Sequence, residues 1–283
     1  MTSAQIISED GPEIETSFEN DLEWKQFLKN NDWVFDRSII DNIVSRGRAI
    51  GLTNKFLGHV EPLEVAVTGT NYRETFLAKG FNPRQRVMMD IALSHIDQHD
   101  PRNMRIYAHE ALTDFALIFR GRFPRFIGSE YAADVHQDRW LFPIPAVDIS
   151  KSPFPSDAFD LVLSGDVFEH VSDLEACLAD TARILKEGGC LLATFPFAYD
   201  RYDTIVKARL NGNVIEYLAE PEYHGNPVND AEGSLVFQIP GWEILEKTVA
   251  AGFRKAEIVF RSSASSGFTA TEIAGILLLR AIK

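Results

Sequence analysis

The stretch Asp157–Val171 reads DAFDLVLSGDVFEHV, and the place where its apolar run stops decides how the rest of the chain is read. Phe159–Leu163 is apolar save for Asp160, as expected for a strand covered on both faces of a parallel sheet. It ends in Ser164, Gly165 and Asp166, with the pair Glu169-His170 just beyond. Small and polar residues at the carboxyl end of a buried strand predict a ligand-facing edge, because open parallel sheets bind ligands beyond those ends.

The surrounding pattern supplies the rest of such a sheet. After Pro101, strand candidates alternate with helical segments: MRIYAH (104–109), RFIGSE (125–130), AVDIS (146–150), FDLVLS (159–164) and CLLATFPF (190–197). This alternation predicts crossover units and a parallel sheet. Between the last two strands, Ser172 with Glu175 three residues on reads as a capping box. Lys186 falls at the end of that helix and Gly188 at its stop. At the end of the chain GWEILEKTVAAGF is helical, and KAEIVF and IAGILLLRAI are strands. The Ser/Gly-rich connection between them is too short for a helical crossover, so they are expected to form an antiparallel pair.

Before Pro101 the apolar spacing is helical. Leu22, Trp24, Phe27 and Leu28 mark one helix; Ile39, Ile40, Ile43 and Val44 mark another after the cap Asp36. A third opens at Asn82 with Pro83 in its first position. Residues 1–20 carry acidic groups with little to bury and are expected to be disordered. The predicted fold is therefore α/β: a doubly wound, mostly parallel, Rossmann-like sheet over 101–283, with an antiparallel C-terminal strand pair and a helical N-terminal cap over 21–100. The stretch Ala198–Pro240 is far longer than an ordinary connection and reads as a lid or substrate-binding insertion.

Composition narrows the partners. With 28 basic and 41 acidic residues the formal net charge is −13, which disfavours nucleic acid and anionic membranes. The arginines from 102 to 125 interleave with apolar positions and read as a solvated face. The chain begins with no basic, apolar leader, and no apolar run reaches bilayer length, so the cytoplasm is the expected location. Cys177 and Cys190 sit in apolar patterns without metal-ligand spacing and are expected to be reduced core residues. A small-molecule partner fits this balance, and self-association to a homo-oligomer is left open.

Residues 148–197, DISKSPFPSDAFDLVLSGDVFEHVSDLEACLADTARILKEGGCLLATFPF, resemble the small-molecule branch of the class I S-adenosylmethionine-dependent methyltransferases. That resemblance implies S-adenosyl-L-methionine as cofactor. It implies that Asp148 meets the adenine amino group and that Glu130 holds the ribose hydroxyls, a diol being suited to an acceptor-only carboxylate. Ser164 and Asp166 would lie against the cofactor and the acceptor. The family's glycine-rich turn after the first strand is absent: RIYAHEALTDFALIF has no glycine between Pro101 and Arg120. In its place Glu110 would meet the cofactor's ammonium group and Thr113 would cap the next helix. Arg84 and Arg86 are the candidate cations for its carboxylate.

Methyl transfer needs alignment of a nucleophile and removal of its proton, and no metal is expected. His170 and His224, in PEYHGNP, are the candidate bases because histidine titrates near neutrality. Tyr199, Tyr202, Tyr217 and Tyr223 give the insertion aromatic surface for a sugar or ring. The expected activity is O- or N-methylation of a small polar molecule, a saccharide among the options. The alternative is a non-catalytic binding or assembly protein on the same fold, which the missing glycines favour. A nicotinamide enzyme fits worse, since its glycine fingerprint is missing as well.

Overall fold

In the computed structural model, residues 11–132, 135–212, 214–226, 228 and 233–283 are described. The chain divides into two compact units, Met1–His99 with Ile258–Leu278 and Asp100–Glu257 with Leu279–Lys283. The seven sheet strands are β1 (Glu13–Phe18), β2 (Ile106–Ala108), β3 (Phe126–Gly128), β4 (Phe159–Gly165), β5 (Leu185–Thr194), β6 (Lys255–Ser263) and β7 (Ile276–Ile282). In the first unit β1 lies beside β6, and in the second the order is β7-β5-β4-β2-β3.

In the second unit, β3, β2, β4 and β5 are parallel, with Leu163 of β4 flanked by Ala108 and Leu192. The end of β7, Leu279–Ile282, runs antiparallel to β5. β4 is buried from Leu161 through Gly165, which explains its apolar composition. The helices α4 (Asp114–Arg122), α6 (Leu174–Ile184) and α7 (Ile244–Ala250) lie in the connections. Thr113 caps α4, as its sequence predicts, by accepting from the Ala116 N–H.

In the first unit, α1 (Asp21–Asn30), α2 (Arg37–Ile50) and α3 (Pro83–Ile96) are the three expected helices. Each starts at a side-chain cap: Asn20, Asp36 and Asn82, the last in a reciprocal capping box with Gln85. Two short antiparallel strand pairs, 52–54 with 58–60 and 65–67 with 76–78, and a one-turn helix at Tyr72–Thr75 interrupt what the sequence presents as long helices. A further helix, α5 (Val135–Leu141), belongs to the second unit.

Four local expectations are corrected. Glu13–Phe18, placed in a disordered tail, is an edge strand: Ile14 and Phe18 point inward, and the strand pairs with β6 from Ile258 to Ser263. The rest of that tail, 1–10, lies outside the described residues. AVDIS forms no strand; it makes a single parallel bridge from Ala146 to Glu130. The cap of α6 is Asp173 rather than Ser172: its carboxylate accepts from the Ala176 N–H, three residues on, at 2.9 Å. The helix stops at Ile184, and Lys186 and Gly188 lie inside β5, where Gly188 takes φ +76°.

The insertion 198–240 consists of short antiparallel pairs: 205–206 with 238–239, 208–211 with 214–217, and 223–224 with 234–235. No helix among the described residues is long and apolar enough to cross a membrane.

Candidate functional site

The carboxyl ends of β2, β3 and β4 carry six of the residues that the sequence singles out, Glu110, Thr113, Glu130, Ser164, Asp166 and His170. Glu110, two residues past β2, is buried, and its carboxylate lies against the backbone of β4: a Cβ added to Gly165 would stand 2.3 Å from Oε1. The carbonyl of Glu110 and the Cα of Ala111 likewise press on β3, where a Cβ on Gly128 would meet them at 2.6 and 3.0 Å. The loop after β2 has no glycine of its own, and the glycines that permit its close packing belong to the neighbouring strands. Neither Gly128 nor Gly165 needs an unusual dihedral; both are required by space.

Glu130, just past β3, braces that same loop. Its Oε1 accepts from the Ala111 N–H at 2.8 Å and the Leu112 N–H at 2.9 Å. Burial raises its pKa, and these two amides work in the opposite direction. Asp148 is half-buried, with Oδ1 accepting from the Ser150 amide and hydroxyl and Oδ2 3.4 Å from Lys151. Burial works to raise its pKa, but Ser150 and Lys151 hold it below the usual carboxylate range.

Other assignments change. The Ser164 side chain is wholly buried and shares a 3.1 Å hydrogen bond with His109 Nδ1, so it faces the core rather than a ligand. Arg86 is equally buried, and its guanidinium donates to the carbonyls of Phe76, Ser266 and Gly267. Burial lowers its pKa to about 9, and with its donors directed at backbone carbonyls it is not available to a cofactor carboxylate. Arg84 is paired with Glu74, Nε to Oε1 at 2.9 Å. Thr113 uses its hydroxyl as a helix cap. Asp166, half-buried at the end of β4 with φ +54°, donates its backbone N–H to the Thr194 carbonyl.

The two histidines stand together. One turn past β4, over Phe168–His170, the chain is held by the insertion: Phe237 N–H donates to the Glu169 carbonyl, and the Gln238 amide to that of Val171. This brings His224 beside His170, with ring centroids 5.2 Å apart and planes at 89°. Between them lies Glu169, wholly buried, its Oε1 3.7 Å from His170 Nε2 and 3.7 Å from His224 Nδ1. Burial raises the pKa of Glu169, and the negative charge of Asp166 adds to that. Glu169 and Glu222 raise that of His224 against the effect of its partial burial. Glu222 contacts His224 Nε2 at 3.0 Å and pairs through its other oxygen with Lys207.

Glu169 and Glu222 are the members that the candidate site residues omit. The first was visible as half of the Glu-His pair after β4, whereas the second has no signal apart from standing two residues before His224.

Residues 128–193, from the end of β3 to the end of β5, match the family model described as a methyltransferase domain. No curated protein matches the chain by sequence. Among solved structures, the chain is similar to the YcgJ protein of Bacillus subtilis, at 22% identity over 37% of this chain and 50% of that one, with a TM-score of 0.31. It is also similar to an S-adenosylmethionine-dependent methyltransferase of Mesorhizobium loti, at 15% identity over 69% and 98% of the two chains, TM-score 0.41. A third is a Burkholderia thailandensis 1,6-didemethyltoxoflavin-N1-methyltransferase with bound S-adenosylhomocysteine, at 14% identity over 71% and 78%, TM-score 0.40. The methyltransferase-domain match thus falls on the β3–β5 core of the parallel part of the sheet.

Proposed function

We propose that the chain transfers a methyl group from S-adenosylmethionine to a hydroxyl or amine of a small polar molecule. The observation that carries this reading is the convergence of Glu110, Glu130 and the His170–His224 pair at the carboxyl ends of adjacent parallel strands, beside backbone left bare by Gly165. Ligands of such sheets lie at that edge.

The residues present fit the cofactor. Both bonds to Glu130 fall on Oε1, which leaves Oε2 for a ribose hydroxyl. Glu110 is placed to receive an ammonium group, and Asp148, held ionised by Ser150 and Lys151, to accept from an adenine amino group. When bound, the cofactor supplies a methyl group activated on a sulfonium. The chain's own part is to orient the acceptor and handle the proton or charge on its nucleophilic atom, and the His170–His224 pair stands where that is done. Tyr202, Tyr217 and Tyr223 are exposed on the insertion and offer rings to a saccharide or heterocycle.

A second reading is favoured by one observation: the loop after β2 is closed down on Gly128 and braced by Glu130, where the family has a glycine-rich turn. On that reading the chain binds or assembles without catalysis. Calorimetric titration with S-adenosylmethionine and S-adenosylhomocysteine decides. Saturable binding of both at micromolar to submillimolar concentration is expected; no heat at millimolar ligand would leave the non-catalytic reading.

A further inference from the structure

Around Glu169 three side chains turn acceptors toward one point. Neither oxygen of this wholly buried carboxylate has a hydrogen-bond partner among the described residues. The two histidine nitrogens facing it stand at 3.7 Å, too far for a hydrogen bond. The outward nitrogen of each ring is already committed: His170 Nδ1 is 2.8 Å from the Leu235 carbonyl, and His224 Nε2 is 3.0 Å from Glu222 Oε1. A carbonyl and an ionised carboxylate only accept, so in the neutral rings these outward nitrogens carry the proton. The lone pairs of His170 Nε2 and His224 Nδ1 then face Glu169. One proton on one ring would satisfy a single pair and leave the third acceptor unmatched, whereas one cation at the centre satisfies all three.

We propose that Glu169, His170 and His224 bind a divalent transition-metal ion. One ligand atom from each residue falls within 4.8 Å of the others. Bonds of about 2.0–2.1 Å in a tetrahedral arrangement put ligand atoms about 3.3 Å apart, so the 3.7 Å pairs need to close by only a few tenths of an ångström. Two imidazoles and one carboxylate are a donor set suited to zinc and its first-row neighbours rather than to calcium or magnesium, which prefer oxygen.

The surroundings match the role. Metal-bound histidines have their other nitrogen fixed by an acceptor, which sets the tautomer and aims the ring, and here the Leu235 carbonyl and Glu222 do this. Glu222 is itself held by Lys207. The ligands come from two places 54 residues apart, so the ion would fasten the insertion to the end of β4. The His170 and His224 side chains keep 17% and 33% of their surface, which leaves room for water or an acceptor heteroatom in a further coordination position. A metal there would lower the pKa of a bound hydroxyl by coordination instead of through an imidazole base. Metal binding itself holds whether or not the chain transfers methyl groups.

The test uses the full chain stripped with a chelator and titrated with cobalt(II), read by visible absorption, and with zinc(II), read by calorimetry. One equivalent per chain, a saturable cobalt band and a raised Tm are expected. His224→Ala, on the half-exposed insertion, and Glu169→Gln, which keeps the buried volume, should each weaken binding at least tenfold. Glu222→Gln, which touches no metal, should weaken it less than either. A parent with no saturable band, or equal binding by parent and His224→Ala, overturns the site. Binding of S-adenosylmethionine, measured separately, keeps the two readings apart: a chain that binds cofactor but not cobalt loses only the metal, and the reverse loses only the methyltransferase reading.

Discussion

The Glu110 carboxylate rests on the bare backbone of Gly165, so close that a single methyl group on Gly165 would stand 2.3 Å from Oε1. The obstacle is the end of a side chain, which can swing away. At Gly128 the obstacles are the Glu110 carbonyl and the Ala111 Cα, which cannot. The two alanine variants should therefore separate. Gly165→Ala should keep the parent's Tm within a few degrees and lose cofactor affinity as Glu110 is displaced. Gly128→Ala should lower stability by about 1–3 kcal/mol through overpacking. Thermal melts with and without S-adenosylhomocysteine check this, and equal Tm losses in both would remove the distinction.

Arg86 and Arg84 differ in the same way. Arg86 is fully buried against three carbonyls, with Phe76 beneath its guanidinium at 5.3 Å. Arg86→Ala leaves those carbonyls without a donor and opens a cavity, and should cost about 3 kcal/mol or more. Arg84→Ala removes an ion pair near the surface and should cost about 1 kcal/mol or less. Urea unfolding of the two single variants reads the difference, and equal midpoints would refute it.

The sheet was legible because burial on both faces forces the apolar runs of β4 and β5, and helix caps were legible because they are local. Even so, Asp173 took a cap from Ser172, since both could reach a free amide and only three-dimensional placement chooses. The edge strand β1 was hidden: six residues with alternating acids look like a tail until β6 supplies the partner. Of the site, the acids at strand ends could be read from order and spacing. His170 and His224 could be named singly, but their meeting around Glu169 could not, because the path of the insertion and not any sequence period brings them together. Arg86 and Ser164 failed as site residues for one reason, that sequence position gave their distance from the strand ends but not the direction of their side chains.

Cys177 and Cys190 are both buried, and burial pushes each thiol up to about 12. The thiolate is the reactive form. At pH 8 the folded chain should therefore resist a disulfide exchange reagent, and two thiols should react per chain once it is unfolded in guanidinium. A rapid phase in the folded protein would contradict the burial of one of them.

His109 lies in the core beside Ser164, Tyr107 and Phe168, and burial lowers its pKa to about 3 although Asp180 works the other way. The unfolded chain takes up a proton on this histidine near pH 6.5, and the folded chain does not until about 3. Between those values folding stability drops as the pH is lowered, by about 1.4 kcal/mol per unit for this one group. His109→Gln should be less stable than the parent at pH 7.5 yet lose stability less steeply on acidification to pH 5. Urea midpoints at four pH values measure the slopes; parallel slopes would mean that His109 titrates normally in the fold.

Glu130 has two functions that two substitutions can separate. Through Oε1 it accepts from Ala111 and Leu112, and through Oε2 it is proposed to meet the cofactor. Glu130→Gln can keep its amide oxygen on the two N–H groups while replacing the other acceptor with a donor. Its Tm without ligand should stay near the parent's, and cofactor binding should weaken by about 1–3 kcal/mol, the range for a buried polar partner removed. Glu130→Ala removes both, so the loop's amides lose their acceptor and Tm should fall as well. The contrast rests on the loop having no glycine-rich turn to hold itself: where the backbone lacks that freedom, the neighbouring carboxylate fixes its course. If Glu130→Gln lowers Tm as far as Glu130→Ala with cofactor affinity unchanged in both, Glu130 is a brace alone and the ribose must be held elsewhere.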